Sequence, residues 1–416
     1  MVSPTLFEII FFAVVSSLFV TTMYYFYKTG RGIPSLPVIA IFGFLLIIST
    51  NFIHGWFIGI YSAIGSSNEI LTDAMAITNP LEFISMYVEN QGSLTTHAQT
   101  QPPFAVLTMH LFYVVFQEPG VIAIALCGVA TLFSAFFIDG IYRKYFGEET
   151  SRYAVLLFLV LPAVQVYYLA NIYAMVATYA AGMLYFYLQD DQFTKILGSA
   201  VCFILGSFTS FLFVYMALFL FLFEVVHYLK TRTPSSFLEQ FQSFMHSIWK
   251  LIAIGIIGGV FYILLWLGLG FNYVDSFLHA SSVENPNGFM LVDNPLNYLI
   301  TRVQDVMDIL VFVGPILTVL AVLGFHMWNE MDQDTDVIEI LSIFVASVIA
   351  LGLLFLTGAP KKGETARICM FILPMILLPV IYYLKEKNVR KRDWILLLIM
   401  TFLQAATMQL LAIWVW

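Results

Sequence analysis

Apolar residues run along this chain in stretches of the length a helix needs to cross a bilayer core. On the rule of roughly 20 residues per crossing, the sequence predicts about 12 spans. They fall near 6–27, 36–62, 119–141, 152–170, 173–189, 196–210, 211–229, 247–270, 306–328, 337–356, 367–384 and 394–414. The division of 196–229 rests only on Gly206, Ser207 and Ser210. Alternating these spans sorts the basic residues. Lys28, Arg31, Arg143, Lys144, Arg152, Lys195, Lys230, Arg232, Lys250, Lys385, Lys387, Arg390, Lys391 and Arg392 fall on one side, and Arg302, Lys361, Lys362 and Arg367 on the other. Lys and Arg collect on the cytoplasmic side of membrane proteins. The richer side is therefore assigned to the cytoplasm, and both termini face outward.

Composition agrees with the pattern. Of 416 residues, 60% are hydrophobic and 11% charged, against about 25% charged in a soluble domain. The chain therefore reads as an all-α polytopic membrane protein, a single integral-membrane domain over 1–416 with no large soluble part. A soluble enzyme, a DNA-binding factor and a secreted disulfide scaffold are excluded. Three cysteines in apolar settings make neither a disulfide frame nor a zinc site. A net charge of −8 gives no footprint for nucleic acid. Residues 5–27 lack a preceding basic stretch and a following cleavage site, so they read as a span rather than a cleavable leader.

Three outward segments carry more chemistry than connections require: 63–118, 271–305 and 357–367. The first holds Glu69, Asp73, Glu82, Glu89 and Glu118 with no Lys or Arg. Its apolar stretch 104–116 would extend only about 20 Å as a helix, too short to cross, and is expected to lie in the interface. An acid just outside the membrane can serve as a general base or hold a metal against a phosphate. Asp73, in an apolar context, is the one singled out; a helix N-terminal acid or solvated loop charge is the simpler role for it. His97, Gln99 and Gln101 precede Pro102-Pro103 at the membrane surface, where a sugar or lipid phosphate would lie. They also suit a polar cap on the interfacial helix. Lys361, Lys362 and Arg367 stand directly before a span, against the charge bias, with Glu364 placed to pair with Arg367. These cations suit a phosphate, or a snorkelling anchor. His279 lies in the second outward segment. Asn51 and His54, within the second span, either bond another helix or line a cavity. There is no nucleotide-binding glycine loop, HExxH or GxSxG, so any donor is expected to be lipid-borne.

These parts resemble the C-type membrane glycosyltransferases, the superfamily of protein mannosyltransferases, aminoarabinose transferases and oligosaccharyltransferase subunits. The matching residues are Asp73, Gln101-Pro102-Pro103-Phe104 and Arg143-Lys144-Tyr145-Phe146. More closely, Glu82 to Tyr87, His97 to Pro103, Asn294 to Tyr298 through Gly314-Pro315, and Gly363 to Phe371 with Pro374 are similar to a prokaryotic branch. The likeness begins near residue 36, which makes 1–35 an additional N-terminal span. Gln101 stands where that branch has a second histidine, and Phe104 where it has glycine. Tyr168 to Asn171 lack the second acid that several members carry.

The resemblance implies transfer of a sugar from a polyprenyl-phosphate carrier to a glycan, lipid or protein hydroxyl on the outer face of the plasma membrane. Asp73 would be the base. His97, Gln99, Gln101 and His279 would orient sugar or acceptor, and Lys361, Lys362, Glu364 and Arg367 would bind the carrier phosphate. The need for a divalent cation is not legible. A lipid-linked sugar flippase, an O-antigen ligase or polymerase-like enzyme and an inert assembly partner are the rivals.

Overall fold

The structure, a computed structural model, describes residues 4–29, 32–65, 70–231, 237–286, 288–330, 335–360 and 363–413. Among them the chain is helical, without a strand. In chain order the elements that matter are α1 (Leu6–Thr29), α2 (Leu36–Asn51), α3 (Ile70–Ala76), α4 (Thr96–Gln99), α5 (Pro103–Phe116), α6 (Pro119–Phe146), α7 (Glu148–Leu159), α8 (Pro162–Tyr167), α9 (Ile172–Tyr187) and α10 (Gln192–Thr209). They continue with α11 (Val214–Thr231), α12 (Phe237–Leu269), α13 (Tyr273–Glu284), α14 (Pro295–Val313), α15 (Pro315–Glu330), α16 (Thr335–Thr357), α17 (Thr365–Ile368), α18 (Leu378–Glu386) and α19 (Lys391–Leu411).

Eight helices among the described residues are long and apolar enough to cross a membrane, and a bent pair, α14 with α15, makes up to nine. Three of the expected spans are instead short or broken. Residues 152–170 break at Val160–Leu161 into α7 and α8, 173–189 shorten to the 16-residue α9, and 367–384 form short helical turns followed by the nine-residue α18. The reason is position. Every residue of α8 is buried, as are nearly all from Thr365 to Leu384. A broken backbone is tolerated at membrane depth where protein, not lipid, surrounds it and side chains supply the missing partners. Here Gln165 Nε2 donates to the Leu159 carbonyl at 2.6 Å, beside the break before Pro162. The regular helices α1 and α12 lie at the periphery, with 22% and 11% of their apolar windows buried.

The expected span 306–328 is the bent pair. It starts earlier, at Pro295, and turns by 98° between Val313 and Pro315. Gly314 makes the turn at φ +104°, a conformation that L side chains rarely adopt. Pro315 cannot donate to the carbonyl four residues back, that of Val311. Gln404 of α19 replaces that donor, its Nε2 lying 2.9 Å from the Val311 oxygen. Beyond the bend, α15 lies against α18 so closely that a Cβ on Gly324 would sit 2.0 Å from the Pro379 carbonyl oxygen. In contrast, the uncertain division of 196–229 is a real break: the helix stops at Thr209, Ser210 is extended, and α11 follows after one turn.

The polar residues of the second span bond neighbouring helices. Asn51 Nδ2 donates to the Gln165 carbonyl at 2.8 Å, Thr50 Oγ1 to Gln165 Oε1 at 2.9 Å, and Gln409 Nε2 to Asn51 Oδ1 at 3.0 Å. His54 sits between Glu8 Oε1 (2.7 Å) and the Gln409 carbonyl (2.6 Å), tying α1 to α2 and α19. The basic helix ends meet at one end of the bundle. Lys144 pairs with Glu339 at 3.0 Å, Lys391 with Glu149 at 2.7 Å, and Lys385 donates to the Tyr145 carbonyl at 3.0 Å.

Candidate functional site

At the end of α9 away from those basic ends, residues of segments 63–118 and 357–367 and the C-terminus of α13 close around a cleft. Its volume is about 880 Å³ including the solvent at its mouth. Its walls carry His97, Gln101, Asn171, Tyr173, Glu284, Glu364 and Arg367.

The first segment is shaped by its own polar groups. Asp73, half-buried on α3, accepts from the Thr95 N–H at 2.9 Å and from its hydroxyl at 2.6 Å. That fixes the entry to α4, which carries His97. Tyr87 donates bifurcately to the carbonyls of Ala98 (2.9 Å) and Gln101 (2.6 Å), fixing the turn before Pro102-Pro103. Burial, reinforced by the Asp73 charge, pushes the Tyr87 phenol well above its ordinary range, so it stays protonated and donating. Proline then starts α5 at its first turn. The segment is anchored below by stacking of Phe104 on Phe208 and by Tyr87 against Phe271, the latter at the start of segment 271–305.

The third segment is held from α14. Arg302 donates to the Phe355 carbonyl and, at 3.0 Å, to that of Pro360. Asp305, fully buried, accepts from Thr365 Oγ1 at 2.6 Å. Arg302, one of the four basic residues set apart by the sequence, is thus a clamp on the backbone that carries Arg367. Arg367 is itself buried to 6% exposure, paired with Glu364 at 3.0 Å, with its guanidinium 5.7 Å from the centre of the Tyr173 ring. Gln101 Nε2 donates to the Tyr173 hydroxyl at 3.0 Å. Tyr173 therefore joins the first and third segments.

The structure gathers four of the residues singled out in the sequence: His97, Gln101, Glu364 and Arg367. It does not bring Asp73, Gln99 or His279 to the cleft wall. Gln99 turns back to the carbonyls of Gly92 (3.2 Å) and Leu94 (2.6 Å). His279 lies with its ring against Gly92. Lys361 and Lys362 lie outside the described residues. Glu284, Tyr173 and Asn171 are the additions. Glu284 is one of several charged residues in segment 271–305 and ends a helix some 180 residues from Gln101, and Asn171 reads as the N-cap that it also is, accepting from the Tyr173 N–H. No three His, Cys, Asp or Glu side chains converge as metal ligands among the described residues. The cleft's two carboxylates include one already paired with arginine, which is a poor set for a hard cation.

Asp73→Ala removes both hydrogen bonds to Thr95 and is expected to destabilise the α4 turn by about 1–3 kcal/mol. Faster amide exchange from Thr95 to Gln99 would show it. Asp73→Asn keeps an acceptor oxygen and is expected to keep most of the protection.

By its fold the chain is an all-α polytopic membrane protein. No protein-family model and no curated protein matches it. Among solved structures it is similar to the oligosaccharyltransferase of Archaeoglobus fulgidus, a complex with Zn and sulfate. The identity is 10% and the TM-score 0.44, over 89% of this chain and 53% of that one. The chain thus spans about half the length of that protein.

Proposed function

We propose that this chain is a membrane glycosyltransferase that takes a sugar from a polyprenyl-phosphate carrier and transfers it to an acceptor hydroxyl on the outer face of the plasma membrane. The observation that carries this reading is the buried Arg367 in a cleft shared by three outward segments, facing carboxylate and amide groups. A guanidinium held in a low-dielectric wall is suited to a phosphate whose charge grows as the glycosyl bond breaks. Lys361 and Lys362, next in sequence, would add to that charge. Glu284 is the carboxylate we assign as base. It would take the acceptor hydroxyl proton as the oxygen bonds to the anomeric carbon and the carrier phosphate departs with its electron pair, which inverts the centre. His97 and Gln101 would orient the sugar. Asp73, the base expected from the sequence, serves here as a positioning residue through Thr95. The engagement of Asn51, His54 and Gln165 by neighbouring helices weighs against a flippase, which needs polar groups along a path at mid-depth.

The test uses the purified full chain in lipid with a panel of radiolabelled polyprenyl-phosphate sugars, read as loss of sugar from the carrier. We expect loss with at least one donor, abolished by Glu284→Gln and reduced only in part by Asp73→Asn. Loss that needs Asp73 and survives Glu284→Gln would return the base to Asp73. No loss with any donor, despite donor binding, would overturn the enzyme.

A further inference from the structure

A second cavity lies at the opposite end of α9. Its free space is about 820 Å³ including its open mouth, and it is bounded by the ends of α9, α10 and α11, the first half of α12 and the start of α16. Asn171, Ile172 and Tyr173 at one end of α9 line the candidate cleft, whereas Tyr187 and Leu188 at its other end line this one. Sixteen helical residues separate the two by about 24 Å. The second cavity is therefore a separate site, and the proposed transfer makes no use of it.

Its chemistry is cationic. Lys195 and Lys250 both line it, and neither ammonium has an ion-pair or hydrogen-bond partner among the described residues. Lys195 lies 5.8 Å from the centre of the Tyr187 ring. His227, on α11, lines the same space with a buried Nδ1 that finds no partner among the described residues. The acids present are already engaged: Glu339 pairs with Lys144 at 3.0 Å, and Glu224 accepts from the Tyr187 hydroxyl. The hydroxyls of Tyr228 and Ser247 also border the space, though both already donate to carbonyls (Tyr228 to Gln240 at 2.8 Å, Ser247 to Phe244 at 2.9 Å). Two like charges held in one partly enclosed cavity repel each other unless an anion lies between them. Ammonium groups and an imidazole N–H together match the oxygens of a phosphate.

We propose that this cavity binds a phosphate ester through Lys195, Lys250 and His227. The ligand is the headgroup of an anionic lipid or a soluble phosphate monoester; the chemistry of recognition is the same.

The test measures equilibrium binding to the full chain in phosphatidylcholine nanodiscs, with radiolabelled short-chain phosphatidic acid in one arm and glycerol 3-phosphate in the other. Because Arg367 is itself suited to phosphate, Arg367→Gln is run in parallel to isolate the candidate cleft. In at least one arm we expect a saturable component that persists in Arg367→Gln and is weakened about tenfold or more by Lys195→Gln with Lys250→Gln. Lys195→Arg with Lys250→Arg should retain it. Binding in the lipid arm alone assigns a headgroup, and binding in both arms assigns a soluble ester. No saturable component in either arm, or one that ignores the Lys195 and Lys250 substitutions, overturns the proposal. If the double variant does not fold, Lys250→Gln alone decides by the same criterion, since Lys250 is half-buried and pairs with nothing among the described residues.

Discussion

Arg367→Ala is expected to reduce sugar release from a polyprenyl-phosphate donor by about 10²–10³-fold, the cost of losing one well-placed charge donor to a leaving group. The geometry makes the effect specific to chemistry. The guanidinium side chain is 7% exposed and pairs with Glu364, whose own side chain is 35% exposed. Removing Arg367 leaves Glu364 able to turn to water, so the stranded charge is mild, and the stability loss is expected to be about 1–2 kcal/mol from the pair and the Tyr173 contact together. The variant should therefore remain monodisperse and bilayer-inserted while losing activity. Arg367→Lys keeps the charge and loses the planar fork, and should fall between the two, about tenfold below wild type. Initial rates over a donor titration check this. A wild-type rate in Arg367→Ala would remove the phosphate role from the cleft.

The largest stability loss is expected from Gly324→Val. The first added carbon would lie 2.0 Å from the Pro379 oxygen and 2.7 Å from its carbonyl carbon. Both are backbone atoms inside α18, so no rotamer relieves the clash and α15 must move away from α18. Overpacking of this kind costs about 3 kcal/mol or more where backbones meet. It would part Trp328 from Tyr382, whose rings lie 5.2 Å apart. The displacement would also travel back along the buried turns that join α18 to Arg367, so donor binding should fall together with stability. Gly352→Ala is the matched control: nothing lies within 4 Å of its added carbon, and alanine there should be neutral or gain up to about 1 kcal/mol. Thermal unfolding in detergent separates the two. Equal unfolding temperatures for Gly324→Val and wild type would contradict the α15–α18 contact.

Much of the site was legible because its signals are local. Pro102-Pro103 announces the start of α5. The pairing of Glu364 with Arg367 follows from their spacing on one turn. Of the four basic residues set against the charge bias, the two among the described residues come together, with Arg302 clamping the backbone that leads to Arg367. Gln99 and Asp73 were drawn toward the site by the same polar composition that makes them useful inside the loop. A side chain that closes a turn and one that faces a cleft have the same letters, and the difference is the direction in which the backbone aims them. Tyr173 carried no signal, and Glu284 was legible only as one charged residue among several in segment 271–305, for the converse reason. Each sits at an ordinary helix end, and chain folding alone carries it to the cleft.

The sequence by itself determined the class of protein, an all-α polytopic membrane protein, and pointed to the segments from which the cleft is built. Apolar length, charge bias and proline position act through neighbouring residues and need no knowledge of the fold. Tertiary structure decided which apolar runs stay continuous. At the breaks before Pro162 and Pro315, Gln165 and Gln404 supply hydrogen bonds that lipid cannot. It also decided the bend at Gly314, the fate of Asn51 and His54 as bonds between helices, and which polar groups of three separate segments share one cleft. These depend on contacts between residues distant in the chain, and no local pattern encodes them.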